Sequence, residues 1–112
     1  MNYVPDQGDI VTLDFHPQSG KEAMGRRPGL VLSRKPFNEK TGFAFICPIT
    51  KTERDYVFHV KVPSGLKCAG QIEVDQARSL DYVSRKARYC DKLPEDVLAE
   101  VLNLYEPIFW AI

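Results

Sequence analysis

No stretch of the 112 residues is apolar for long enough to cross a membrane as a helix. The N-terminus, MNYVPDQGD, also lacks the basic-then-apolar pattern of a secretory signal. Cysteine is scarce: Cys47, Cys68 and Cys90 are odd in number, far apart, and show no Cys-x-x-Cys or Cys/His spacing. That argues against a disulfide framework and against a zinc centre, and points to a reducing, cytoplasmic setting. Neither sign of charge is in excess, with fifteen Lys and Arg against fifteen Asp and Glu. The global positive field of many nucleic-acid binders is therefore missing, although a local patch or a groove between subunits can still be basic. Repeats, linkers and low-complexity runs are absent. So are a Walker-type glycine loop, a Ser/His/Asp order and a metal-ligand cluster, which disfavours NTPases and hydrolases of those kinds. What is left fits one globular domain, residues 1–112, whose hydrophobic fraction of 44% supports a single core.

Strand patterns fill the first three quarters of the chain. GDIVTLDF alternates, with Val11, Leu13 and Phe15 on one face and Thr12 and Asp14 on the other. RPGLVLS and GFAFICPIT read as strands buried on both faces, and Pro48 marks an edge or bulge in the second. YVFHVKV sends Phe58, Val60 and Val62 inward and His59 and Lys61 outward. In GQIEVDQ, Ile72 and Val74 face in, while Gln71, Glu73 and Asp75 share the other side. A further strand or two fits ARSLDYVSRKARYC. KPFNEKTG has room for one helical turn, and LPEDVLAEVLNLYEP reads as a helix that Pro107 ends or kinks. The tail IFWAI is apolar enough to need the sheet or a partner subunit as cover. These pieces make a mainly β (α+β) domain, a small curled sheet or barrel followed by a C-terminal helix.

Several side chains are candidates for chemistry. Arg27 is presented from an extended segment ahead of Pro28, and its planar fork suits either a phosphate or a surface ion pair. Thr50 ends a strand, where its hydroxyl serves a phosphate oxygen or a turn. Glu22 lies in a connection longer than most hairpins need and is a candidate general base. Glu73 and Asp75 share a face, either as an acid–base pair or as a ladder with Arg78 or Lys61. His16 and His59 show no partner pattern, and an outward His59 reads as exposed. Tyr3, Tyr56, Phe37 and Trp110 are core or base-stacking residues.

The order of the motifs GDIVTLDFHPQSGKEAMGRRPGLVLS, FNEKTGFAFICPITKTER and VDQARSLD resembles the MazF/PemK family of toxin endoribonucleases from type II toxin–antitoxin modules. Five weak signals in the right order span nearly the whole chain. The resemblance implies an SH3-like small barrel of bent antiparallel strands with a C-terminal helix, assembled as a homodimer. It implies metal-independent, cofactor-free cleavage of single-stranded RNA or mRNA at short sequences, and control by a cognate MazE-like antitoxin. Carried over by motif, Arg27, Thr50 and Glu22 become catalytic candidates. Lys21, Arg26, Lys51, Asp75, Gln76 and Arg78 become RNA-binding candidates. Lys21 and Glu73 stand where some family members carry histidine and arginine, which leaves the division of acid and base between residues open. The rival reading is a non-catalytic toxin on the same fold that binds a protein target such as gyrase; a structural SH3-like module is the third.

Overall fold

The structure, a computed structural model, describes residues 3–15 and 25–110. β1 (Asp9–Asp14) shows the alternation in its sequence: Val11, Leu13 and the following Phe15 enter one core, while Ile10 enters the other. β2 (Arg26–Val31) runs antiparallel to it, with Arg27 opposite Leu13 and Leu30 opposite Ile10. Gly29 allows β2 to sit tight on the next strand, because a Cβ there would lie 2.7 Å from Ile46 Cγ2 and 2.9 Å from the Cys47 carbonyl.

β3 (Phe43–Thr50) organises the sheet. One of its edges pairs with β2. The other is shared: β6 (Arg78–Asp81) pairs along Phe43–Ile46 and β5 (Gln71–Glu73) along Ile49 and Thr50. A 3-10 turn, Val74–Gln76, carries the chain from one partner to the other. Pro48 stands at this handover, where neither β5 nor β6 needs a ladder donor from β3, so its missing N–H is tolerated. β4 (His59–Lys61) extends the sheet beyond β5, and β7 (Arg88–Lys92) pairs with β1 through a register shift at Ile10/Val11.

The strand order β4-β5-β3-β2-β1-β7 leaves β4 and β7 at opposite ends. Of the small curled sheet or barrel expected, the structure has the bent antiparallel sheet with its C-terminal helix, and the sheet does not close into a barrel. Strands of three residues at the β4–β5 end offer too few ladder groups to complete a closure. Both faces of the sheet are buried. One carries Ile10, Leu30, Ile49, Ile72 and Val74; the other carries Val11, Leu13, Val31, Ile46 and Leu80. This explains why β2 and β3 read as continuous apolar runs.

α1 (Lys35–Thr41) is longer than the single turn expected and ends at Gly42, whose φ of 78° suits glycine. Its buried Asn38 donates Nδ2 to the carbonyls of Pro5 and Ser33, at 2.8 and 3.0 Å. α2 (Glu95–Asn103) lays Val97, Leu98 and Val101 on the first core. The helix breaks at Leu104, before the expected proline, and resumes as α3 (Tyr105–Phe109). Pro107 occupies the first turn of α3, where a backbone N–H has no acceptor within the helix to lose. Beyond it Ile108, Phe109 and Trp110 are exposed.

The reading of the cysteines is also corrected. Cys68 and Cys90 form a disulfide across a Cα–Cα distance of 6.8 Å. The β4–β5 connection folds back on β7, a proximity that a separation of 22 residues does not announce. Cys47 is free and buried, and burial pushes its thiol up to about 12.

Candidate active site

The handover on β3 opens a cleft of about 200 Å³. Pro48 and Phe15 form its apolar part, and its polar lining comes from β2, the β3–β4 connection, β4 and the β5–β6 turn. Alternation along β2 sends adjacent arginines to opposite faces. Arg27 enters the cleft and is exposed. The two Lys or Arg ion pairs among the described residues join Arg26 to Asp14 and Lys92 to Asp9, so neither neutralises Arg27.

Arg26 lies on the other face. Its Nη1 meets Asp14 Oδ1 at 3.3 Å, and its Nη2 donates to the carbonyls of Thr12 and Lys86 at 3.1 and 2.7 Å. Those bonds pin the β6–β7 turn, where Lys86 has a φ of 57°. Arg26 therefore sits on the face of β2 away from the cleft. Asp75, Gln76 and Arg78 do line the cleft. Lys51 lines a separate cavity beside it. Thr50 lies two residues past Pro48 on the same face of β3, opposite Gln71, and its Oγ1 accepts the Thr52 amide at 3.1 Å. Lys21, Glu22 and His16 lie outside the described residues.

His59 is the residue that sequence reasoning missed. Its side chain is 3% exposed and it lines the cleft instead of facing open solvent. Gln71 Oε1 accepts the Arg54 backbone N–H at 3.0 Å, which identifies that atom as the amide oxygen. Lying 2.8 Å from the same oxygen, Nδ1 of His59 must then be the protonated nitrogen. The other ring nitrogen, Nε2, lies 3.9 Å from Glu73 Oε2. The register carried a signal for this: His59 is directly opposite Glu73 in the β4–β5 pair. Alternation placed both outward correctly, but outward from this short hairpin is into the cleft.

Two more arginines complete the lining. Arg54 lies 4.4 Å from the centroid of the Tyr56 ring, and Arg78 lies 6.0 Å from that of Phe15. Tyr56 donates its hydroxyl to Asp75 Oδ2 at 2.8 Å, and that bond raises the phenol's pKa. Arg27, Arg54 and Arg78 thus face Glu73 and Asp75, a cationic cleft in a chain of zero net charge. Such a cleft can hold an anion, stabilise charge that develops on it, and move a proton at His59.

The comparisons agree with this architecture. The endoribonuclease toxin MazF of Escherichia coli K12 is 41% identical over 85 residues, 76% of each chain. The endoribonuclease PemK of Escherichia coli is 29% identical over 102 residues, covering 88% of this chain and 77% of that protein. A chain of the MazE–MazF complex from Deinococcus radiodurans (crystal form III) superimposes with a TM-score of 0.88 at 42% identity, covering 98% of this chain and all of that one. Fold and relatives define the class as a toxin of a type II toxin–antitoxin system. Within that class, the chain belongs to the PemK-like, MazF-like toxin family, whose model matches residues 6–109.

Proposed function

We propose that this chain is the toxin of a type II toxin–antitoxin module and cleaves single-stranded RNA in the cytoplasm, without a metal, by attack of the substrate's own 2′-hydroxyl. The observation that carries the reading is the meeting of Arg27, which has no ion-pair partner among the described residues, with His59 and Glu73 in one cleft. Attack at phosphorus forms the new O–P bond, expels the 5′ oxygen and leaves a 2′,3′-cyclic phosphate and a 5′-hydroxyl. Arg27 stabilises the dianionic centre, and Thr50 offers its O–H to a non-bridging oxygen. Glu22 takes the 2′ proton, and His59 Nε2 delivers a proton to the departing 5′ oxygen. Asp75, one of whose carboxylate oxygens accepts the Tyr56 hydroxyl, is the alternative base.

The family relationship and the MazE–MazF neighbours support control by a MazE-like antitoxin whose flexible acidic segment occupies the RNA path. Exposed Phe45, Phe109 and Trp110 support a homodimer. A protein target such as gyrase would need neither a proton carrier nor an arginine directed into a cleft, so the nuclease reading is preferred.

The test is cleavage of a long RNA in EDTA, repeated with a single 2′-deoxy sugar at each mapped site. Cleavage in EDTA that the deoxy sugar abolishes is expected; a magnesium requirement or cutting of the deoxy substrate overturns the mechanism. A substrate with sulfur in place of the 5′ oxygen needs no acid, and it should restore most of the rate lost in His59→Ala. Failure to do so removes His59 from the acid role.

A further inference from the structure

A second cavity, of about 460 Å³, lies between the β3–β4 and β4–β5 connections. It is larger than the cleft and adjoins it. Lys51, the residue after Thr50, lines it, and so does Gln71, whose amide oxygen orients His59 in the cleft. Pro63 and Leu66 give it an apolar wall, while Lys51, Lys61 and Glu53 supply charge.

The wall is an exposed connection, yet it is fastened at several points. The Val62 amide donates to the Gly70 carbonyl at 2.9 Å. The Lys67 amide donates to Asp91 Oδ2 at 2.9 Å, and Cys68 is bonded to Cys90 on β7. Gly70, at a φ of 136°, passes so near β3 that a Cβ would lie 2.5 Å from the Thr50 carbonyl. Surface loops ordinarily lack such restraint, and small-molecule sites are ordinarily preformed.

We propose that this cavity is a nucleobase subsite, receiving the base next to the scissile step in the RNA that the cleft is proposed to cut. The inference rests on that reading and adds a determinant of sequence preference. The flat face of a base covers Pro63 and Leu66, and Lys51 and Lys61 lie beside the flanking phosphates. Glu53 accepts a hydrogen bond from an exocyclic amino group, which adenine, cytosine and guanine carry and uracil lacks. The site therefore selects an amino-bearing base over uracil by about tenfold, the discrimination that one good base-edge contact gives.

The test reads binding separately from cutting. The folded chain is titrated with uncleavable oligoribonucleotides, 2′-deoxy at the scissile sugar, that carry each of the four bases at the adjoining position. Amide shifts at Gly65, Leu66 and Ala69, with about tenfold weaker binding for uracil, are expected. Glu53→Gln, which can donate to a uracil carbonyl, should bring that preference toward unity. Ala69→Trp should fill the space and erase the shifts, while cleavage of a bare dinucleotide changes little. A wild-type chain that binds RNA without shifts at these amides, or a Glu53→Gln chain with the original preference, overturns the subsite. Shifts and preference without any cleavage would leave the subsite standing and sink the nuclease reading, and no RNA binding at all would overturn both.

Discussion

Arg26 and Arg27 are neighbours in the chain and face away from each other across β2. Arg26 spends its guanidinium on Asp14, Thr12 and the Lys86 carbonyl. Arg27 has no such partner among the described residues and lines the cleft. Arg27→Ala should accordingly leave the thermal midpoint unchanged and lower the cleavage rate at least about a hundredfold. Arg26→Ala should do the reverse, costing about 1–2 kcal/mol in urea unfolding with cleavage within about threefold of wild type. An inactive, fully stable Arg26→Ala chain would show that the face of β2 has been misassigned. At this scale the sequence was informative where a motif set the residue's place, as with Arg27, Asp75, Gln76 and Arg78. It was silent on His59, because the strand period reports which face a side chain takes and not whether that face is concave.

Among the elements, the chain between Cys68 and Cys90 carries β5, the 3-10 turn and β6, and with them Glu73, Asp75, Gln76 and Arg78 of the cleft. Closing that loop removes unfolded conformations, so Cys90→Ser should cost about 3 kcal/mol in urea without reductant and almost nothing with it. Equal loss in both conditions would show that the bond contributes nothing. A second restraint on the same segment is titratable. The Lys67 and Lys92 amides donate to Asp91 and hold its carboxyl below the ordinary carboxylate range. A depressed native pKa gives stability that is present above the unfolded value of about 3.9 and lost as pH falls through the native one. Protection of the Lys67 amide, after correction for the intrinsic pH dependence of exchange, should therefore fall on acidification in the wild type more than in Asp91→Asn; identical acid profiles would discount the restraint. The strands and the C-terminal helix were legible because periodicity is local. The strand order, the helix break at Leu104 and the disulfide were not, since each depends on which distant segments meet.

For the whole molecule, the described surface carries several exposed aromatic side chains. Phe45 stacks on Phe37 and Phe109 on Tyr105, with centroids 6.0 and 5.9 Å apart, and Phe45, Tyr105 and Phe109 border a groove of about 260 Å³. Trp110 is 74% exposed beside it. Sedimentation at micromolar concentration should give a dimer, and Phe45→Glu or Phe109→Glu should give a folded monomer. A wild-type monomer would leave the patch for another partner. The buried Cys47 has a different consequence. Its thiol sits 3.1 Å from the Tyr105 hydroxyl, and burial keeps it from ionising. An alkylating reagent meets no reactive sulfur in the native oxidised chain, two once the Cys68–Cys90 bond is reduced, and a third only when the core opens. Counting alkyl groups by mass would then report oxidation state and unfolding in one spectrum, with no label added to the molecule beforehand.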